Sequence, residues 1–235
     1  MKRILITAGP THEPIDSVRF IGNRSSGKMG FALVQACVAK GWDVTFLLGP
    51  VGTVPPAIPN VRIERFRTCA DLQRLLDVEA AAAELIIMAA AVADYRPKPN
   101  PAMSGGKFRR SSEALKLELE PTPDLIAQVA ARRVSGQVLV GFALEPRGEM
   151  VEAAARKLAR KGLDFVVANP LETMDSVDVE GVVVRKDGSI EVAPRLMPKP
   201  EFARWLVAML AASSGERGCC LSCSGIESPL SAHVA

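Results

Sequence analysis

Gly22-Asn23-Arg24-Ser25-Ser26-Gly27-Lys28 has the GxxxxGK spacing of a phosphate-cradling loop, in which backbone N–H groups and a lysine face phosphate oxygens. Met29 stands where such a loop needs a hydroxyl for magnesium, and Pro14 and Asp16 interrupt the buried strand that should run into it. A true P-loop is therefore set aside. What remains is a helix start: Ser25, Ser26, Gly27 and Gly30 open a helix whose N–H groups and dipole attract an anion. Plain capping of that helix by Ser25 or Ser26 is the alternative.

Four further segments carry polar or permissive residues. Thr7 to Asp16 lacks the GxGxxG of dinucleotide folds, yet Gly9 permits close backbone approach to a ligand while Pro10 and Pro14 stiffen the segment. His12 within it reads as an exposed loop histidine. Met88-Ala89-Ala90-Ala91-Val92-Ala93-Asp94-Tyr95 offers small residues against which a flat group can lie and an acid that can bond a ribose or base; ordinary strand packing ended by a capping Asp is the alternative. Lys107-Phe108-Arg109-Arg110 supplies three cations suited to a lid over polyphosphate, or else a solvated charge run. Lys157 and Lys161 lie one helical turn apart, either reaching one phosphate chain together or forming a solvated helix face. No Ser/His/Asp or Cys/His nucleophile constellation is present.

These residues need a scaffold, and the hydrophobic pattern supplies one. Apolar runs at 4–7, 44–48, 61–63, 85–91, 138–142 and 165–167 read as strands, several of them apolar throughout as in sheets covered on both faces. Between them, 27–40, 69–82, 124–133 and 148–161 have helical length and amphipathic spacing. The βαβ order predicts an α/β, Rossmann-like, mostly parallel sheet with helices on both faces, whose ligands sit beyond the carboxyl ends of the strands. Arg96 to Glu120 reads as a mobile lid segment ending in an alternating strand, Leu115 to Leu119. Val182 to Val192 reads as a C-terminal hairpin turning at Asp187-Gly188. Hydrophobic periodicity is lost beyond Leu210, so one domain over 1–212 is followed by a poorly ordered tail over 213–235.

The chain has 235 residues, 48% hydrophobic and 23% charged, which fits a globular protein and excludes general disorder. A net charge of +3 is too small to announce a nucleic-acid binder. Neither the basic start nor any apolar run is long enough for a signal peptide or membrane span, so a cytoplasmic protein is expected. Five cysteines, three of them at 219, 220 and 223, make neither a secreted disulfide framework nor a complete zinc site.

Taken in order, these residues resemble the phosphopantothenate-cysteine ligase family of coenzyme A biosynthesis, over about Lys2 to Leu210. The most specific stretch is Glu13 to Gly30, EPIDSVRFIGNRSSGKMG, which looks like the family's EPID-VR-N-SSGKMG motif. Ala89 to Pro97, Pro123-Asp124-Leu125, Gly141-Phe142-Ala143 with Glu145, and Val167-Ala168-Asn169 match further family motifs. The resemblance implies a homodimer, magnesium and a two-step reaction: the carboxylate of 4′-phosphopantothenate attacks the α-phosphate of a nucleoside triphosphate, and cysteine's amine then displaces the nucleotide. It implies that Asn23 contacts phosphopantothenate and stabilises the acyl-nucleotide step, with Lys107 as the catalytic lid cation. Arg19 would reach the substrate phosphate across the dimer interface, and Ala89, Ala90 and Asp94 would contact substrate and nucleotide alike. Gly9, Ser25, Gly27 and Gly30 would face nucleotide phosphates, with Lys157 and Lys161 adding charge. Met88, Pro123, Asp124, Leu125, Ile126, Phe142 and Asn169 would complete the nucleotide pocket.

Bacterial members generally use CTP and the eukaryotic branch ATP; Ser26 to Gly30 and Ala91 to Tyr95 have the bacterial form, so CTP is expected. Met1 stands at the ligase's first strand, which implies a separate flavin-dependent decarboxylase as a partner. Departures from the family pattern are His12 in place of Arg or Lys, Phe108-Arg109-Arg110 in place of IKK, Leu144 and Pro146 within GFAAET, and Pro170 after Asn169. Two other classes share the scaffold: a nicotinamide-dependent oxidoreductase, which lacks its glycine fingerprint here, and a non-catalytic nucleotide-binding module.

Overall fold

The computed structural model describes residues 2–52, 58–99, 106–107, 112 and 114–213. In chain order its elements are β1 (Arg3–Ala8), β2 (His12–Pro14), β3 (Phe20–Gly22), α1 (Lys28–Ala39), β4 (Asp43–Leu48), β5 (Val61–Arg65) and α2 (Cys69–Glu79). There follow β6 (Leu85–Met88), β7 (Tyr95–Pro97), β8 (Leu119–Pro121), α3 (Leu125–Ala131), β9 (Val138–Glu145), α4 (Met150–Lys161) and β10 (Phe165–Pro170). The chain ends in β11 (Asp178–Val179), β12 (Val182–Arg185), β13 (Ile190–Val192), β14 (Met197–Pro198) and α5 (Lys199–Ser213).

Eight strands form one sheet in the order β13-β12-β10-β9-β6-β1-β4-β5. The six from β10 to β5 are parallel, and β12 and β13 add an antiparallel hairpin at the β10 edge. This is the doubly wound order, and its strand order reverses between β1 and β6, where a crevice must open. Alternation along each strand feeds both faces. Ile4, Ile6 and Ala8 of β1 pack with α1 and α5 on one side, while Leu5 packs with α2, α3 and α4 on the other. The buried apolar side chains of α5, among them Phe202, Leu206, Val207 and Leu210, explain why the periodicity stops near Leu210.

Local chemistry fixes the helix starts. Thr68 and Asp71 form a reciprocal capping box on α2, and Asp124 caps α3 by accepting from the Ala127 N–H at 3.2 Å. At α1 neither serine caps: Gly27 holds the cap position in the left-handed region at φ +72°, with no side-chain cap bond. Gly30 lets α1 press against β1, since a Cβ there would lie 2.1 Å from the Ala8 Cβ.

The structure amends several sequence expectations. The strand expected through Ala91 ends at Met88, because beyond it the main chain bonds the loop after β1 and Pro10 bridges Ala91. Leu115 to Glu118 is irregular despite its alternation; the ladder starts only at Leu119, where β8 pairs with β7 and closes the base of the excursion from Arg96 to Glu120. His12 is in a short antiparallel ladder with β3, stacked on Phe20 at 3.6 Å between ring centroids, not in an exposed loop. The hairpin about Asp187-Gly188 forms as expected. Ser213 closes α5, and the remainder of the expected tail, with Cys219, Cys220 and Cys223, lies outside the described residues, as do Phe108, Arg109 and Arg110. Among the described residues, no helix is long and apolar enough to cross a membrane.

Candidate active site

The crevice between β1 and β6 is built by buried hydroxyls. Thr7 Oγ1 accepts from the Ala90 N–H at 3.2 Å and Thr11 Oγ1 from the Ala93 N–H at 3.0 Å, and both threonines are fully buried. Main-chain bonds from Ala91 N to Gly9 O and from Thr11 N to Ala91 O continue the pairing beyond the strands. Thr122 ties in the next segment, donating to Ala93 O at 2.6 Å. The alanine run is thereby fixed as a flat wall, which small side chains leave open to a ligand.

Two buried carboxylates of the EPID segment are structural anchors. Glu13, 3% exposed, accepts from the Cys69 N–H at 2.8 Å and so sits at the positive end of α2. Asp16 accepts from the Val18 and Arg19 N–H groups at 2.8 and 2.7 Å and pairs with the Arg19 side chain at 3.5 Å. Their effect is to hold the β2–β3 arm and deliver Asn23, whose amide donates to Val92 O at 3.0 Å, to the rim of the alanine wall.

Two cavities flank this wall and share Ala90 and Phe142. The first, about 220 Å³, is bounded by the loop 24–30 at the start of α1, by Ala89 to Ala91, by 142–144 and Asn169 at the ends of β9 and β10, and by 173–175, Val179 and Lys199. Ser25, Gly27, Gly30, Ala89, Ala90, Phe142 and Asn169 of the expected set meet here. Asn169 is aimed by a bond from its amide to Thr173 Oγ1 at 2.8 Å. The second cavity, about 200 Å³, brings together Met88, Ala90, Asp94, Pro123, Asp124, Leu125, Ile126, Phe142, Lys157 and Lys161.

The lysines of the second cavity are not a solvated face. The Lys157 ammonium donates to Phe142 O, and burial, followed by repulsion from Lys161, brings its pKa down to about 8. The Lys161 side chain is 15% exposed and pairs with Asp124 at 3.0 Å. Four expected residues line neither cavity. Gly9 lies behind the α1 loop, where a Cβ would meet Val51 Cγ1 at 3.1 Å. Asn23 stands at the rim, Arg19 on the β2–β3 arm beside Asp16, and Lys107 is exposed in the excursion, whose Gly106 carbonyl accepts from the Ser17 N–H. The described thiols are unsuited to nucleophilic work, since burial pushes Cys37 up to about 12 and Cys69 up to about 11.

The model of the DNA/pantothenate metabolism flavoprotein C-terminal domain matches residues 1–214. The chain belongs to this family. The Coenzyme A biosynthesis bifunctional protein CoaBC of Vibrio cholerae is 44% identical over 169 residues, 72% of this chain and 41% of that protein. A Cysteine/Cysteine sulfinic acid decarboxylase of an unknown prokaryotic organism is 42% identical over 171 residues, 73% of this chain and 46% of its own length. Among solved structures, the C-terminal domain of a CoaBC protein is 34% identical with a TM-score of 0.74, covering 90% of this chain and 95% of that one. The chain thus spans about half the length of the curated relatives it matches.

For a member of the DNA/pantothenate metabolism flavoprotein C-terminal domain family, the residues that sequence reading missed are mostly supports. Thr7, Thr11, Thr122 and Thr173 carry no motif of their own, and only the burial of Thr7, Thr11 and Thr173 and the hydrogen bonds of all four mark them. Lys199 and the Arg24–Asp175 pair were also missed, because β11, β14 and the loop that joins them to the first cavity leave no periodic signal.

Proposed function

We propose that the chain joins 4′-phosphopantothenate to cysteine through an acyl-nucleotide, with CTP as the favoured triphosphate. The observation that carries this reading is the pair of cavities meeting at Ala90 and Phe142 over the strand-order reversal, one bordered by the α1 loop and the other by Lys157 and Lys161. Two linked pockets suit a reaction that must hold a nucleotide and an acid in contact. The substrate carboxylate attacks the α-phosphate, forming a P–O bond as the bond to pyrophosphate breaks. Cysteine's amine then attacks the acyl carbon, the nucleoside monophosphate leaves, and the amine loses a proton to give the amide.

The carboxylate is already a nucleophile, so the protein's work is positioning and charge neutralisation. Asn23, placed by the arm at the rim, orients the acid. Lys157 and Lys161 neutralise phosphate charge from the second cavity, Asp94 and Asp124 offer acceptors to ribose or base, and Lys107 closes from the excursion. Magnesium would enter with the triphosphate, neutralising its oxygens while keeping several waters. A homodimer is supported by exposed apolar side chains on the paired arms, Val18, Phe20 and Tyr95 at 58%, 45% and 55%, with Arg19 beside them to reach a second copy. A flavin-dependent decarboxylase, in the same or another chain, supplies the next step on the product.

The test is pyrophosphate release from purified protein given phosphopantothenate, magnesium, cysteine and each triphosphate in turn. Release that requires phosphopantothenate and runs faster with CTP than ATP supports the reading. Reduction of a nicotinamide cofactor without such release refutes it.

A further inference from the structure

Lys199 belongs to no motif, yet it occupies an unfavourable position. It is the first residue of α5, where the helix dipole disfavours a cation, and Lys28 is the first residue of α1 beside it. Both side chains border the first cavity, and the proximity of Lys28 adds to burial in lowering the Lys199 pKa, against the opposing pull of Asp175. Arg24 is the third cation there and Asp175 the carboxylate it pairs with, so positive charge is in excess at that end.

Its hydrogen bonds show what it does within the chain. Lys199 Nζ donates to Ser176 O at 2.6 Å and to Thr173 O at 3.4 Å, holding the loop after β10 against the start of α5. Thr173, buried in that loop, donates its hydroxyl to Pro170 O at 2.7 Å and accepts the Asn169 amide. One ammonium therefore fixes the wall that aims Asn169, at the border of the first cavity.

We propose that Lys199 is a positioning residue that holds the 170–176 loop and makes the first cavity selective for a phosphoryl anion. This rests on the ligase reading for its place in the reaction and for the kinetic readout, but not for the binding test. The anion has two sources in that reaction, the β,γ end of the triphosphate and the phosphate monoester of the acid substrate.

The experiment is calorimetric titration of the full chain with inorganic pyrophosphate and, separately, with inorganic phosphate. It compares wild type with Lys199→Met and Lys199→Arg. Loss of a charge-assisted hydrogen bond predicts at least roughly tenfold weaker binding to the Met variant, with most of it restored by Arg. Tighter binding of pyrophosphate than phosphate assigns the cavity to the triphosphate end, and the reverse assigns it to the monoester. Steady-state rates supply the second readout. KM for one phosphorylated substrate should rise about tenfold in the Met variant while kcat changes less than about threefold. Equal binding by wild type and the Met variant overturns the proposal, as does absence of binding by wild type at millimolar anion. A lowered melting midpoint with unchanged KM values also overturns it, because that is a purely structural lysine. Since anion binding needs no turnover, an inactive but anion-binding chain would sink the ligase reading and leave this one standing.

Discussion

Replacing Lys157 with methionine should make the protein more stable and its nucleotide site worse. Burial beside Ile126, Leu163 and the β9 backbone brings the lysine down to about 8 from its ordinary 10.5. At about 1.4 kcal/mol per pH unit, that gap is a folding penalty of roughly 3 kcal/mol at neutral pH. The sign follows from proton binding. Between about pH 8 and 10.5 the unfolded chain holds the proton that the folded chain has lost, so stability rises with pH across that window, and the full penalty lies below it. Methionine removes the penalty but also the bond to Phe142 O, worth about 1 kcal/mol, leaving an expected net gain of about 1–2 kcal/mol at pH 7. Urea melts at pH 7 and pH 10 should show a gain at the lower pH that shrinks at the higher. Triphosphate affinity should fall at least about tenfold for loss of a charge-assisted contact. A variant less stable than wild type at pH 7, or one that binds nucleotide equally well, would refute the reasoning.

Gly30→Ala should destabilise by about 1–3 kcal/mol, because the 2.1 Å approach to Ala8 overwhelms the gain in helix propensity of about 1 kcal/mol; a denaturant melt reads it. Glu13→Ala should cost about 2–3 kcal/mol of stability by stripping the first N–H of α2 of a buried anionic acceptor, measured the same way. Lys107→Ala, at an exposed position, should shift stability by about 0.5 kcal/mol or less while slowing single-turnover acyl-nucleotide formation about a hundredfold. An unchanged single-turnover rate would make it an ordinary surface lysine.

The six parallel strands were legible because each is a short apolar run bounded by turn residues, and the doubly wound order follows from alternating those runs with amphipathic helices. The two-stranded arms were not. β2, β3, β7 and β8 are three-residue ladders whose pairing depends on buried Glu13 and Asp16 and on hydroxyls from other segments, which no local pattern records. Leu115 to Leu119 shows the converse, where clean alternation makes no strand up to Glu118: among the described residues the ladder with β7 ends at the Pro97–Leu119 pair. In the site, spacing correctly paired Lys157 with Lys161 but could not tell a solvated face from a pocket wall; that depended on β9 and α3 covering the stems. Gly9 shows that a permissive residue at a strand end can serve chain packing, here against Val51, instead of lining the cavities. Lys199 left no signal because its partners are backbone carbonyls.

In the proposed function the acid is activated as an acyl-nucleotide in the crevice between β1 and β6. Phosphopantothenate labelled with ¹⁸O in its carboxylate tests this when turned over with CTP, magnesium and cysteine and the nucleoside monophosphate is analysed by mass spectrometry. One ¹⁸O is expected in the CMP released, carried there by the bond the carboxylate makes to the α-phosphate. Amide product accompanied by unlabelled CMP, or by CDP in its place, would contradict it.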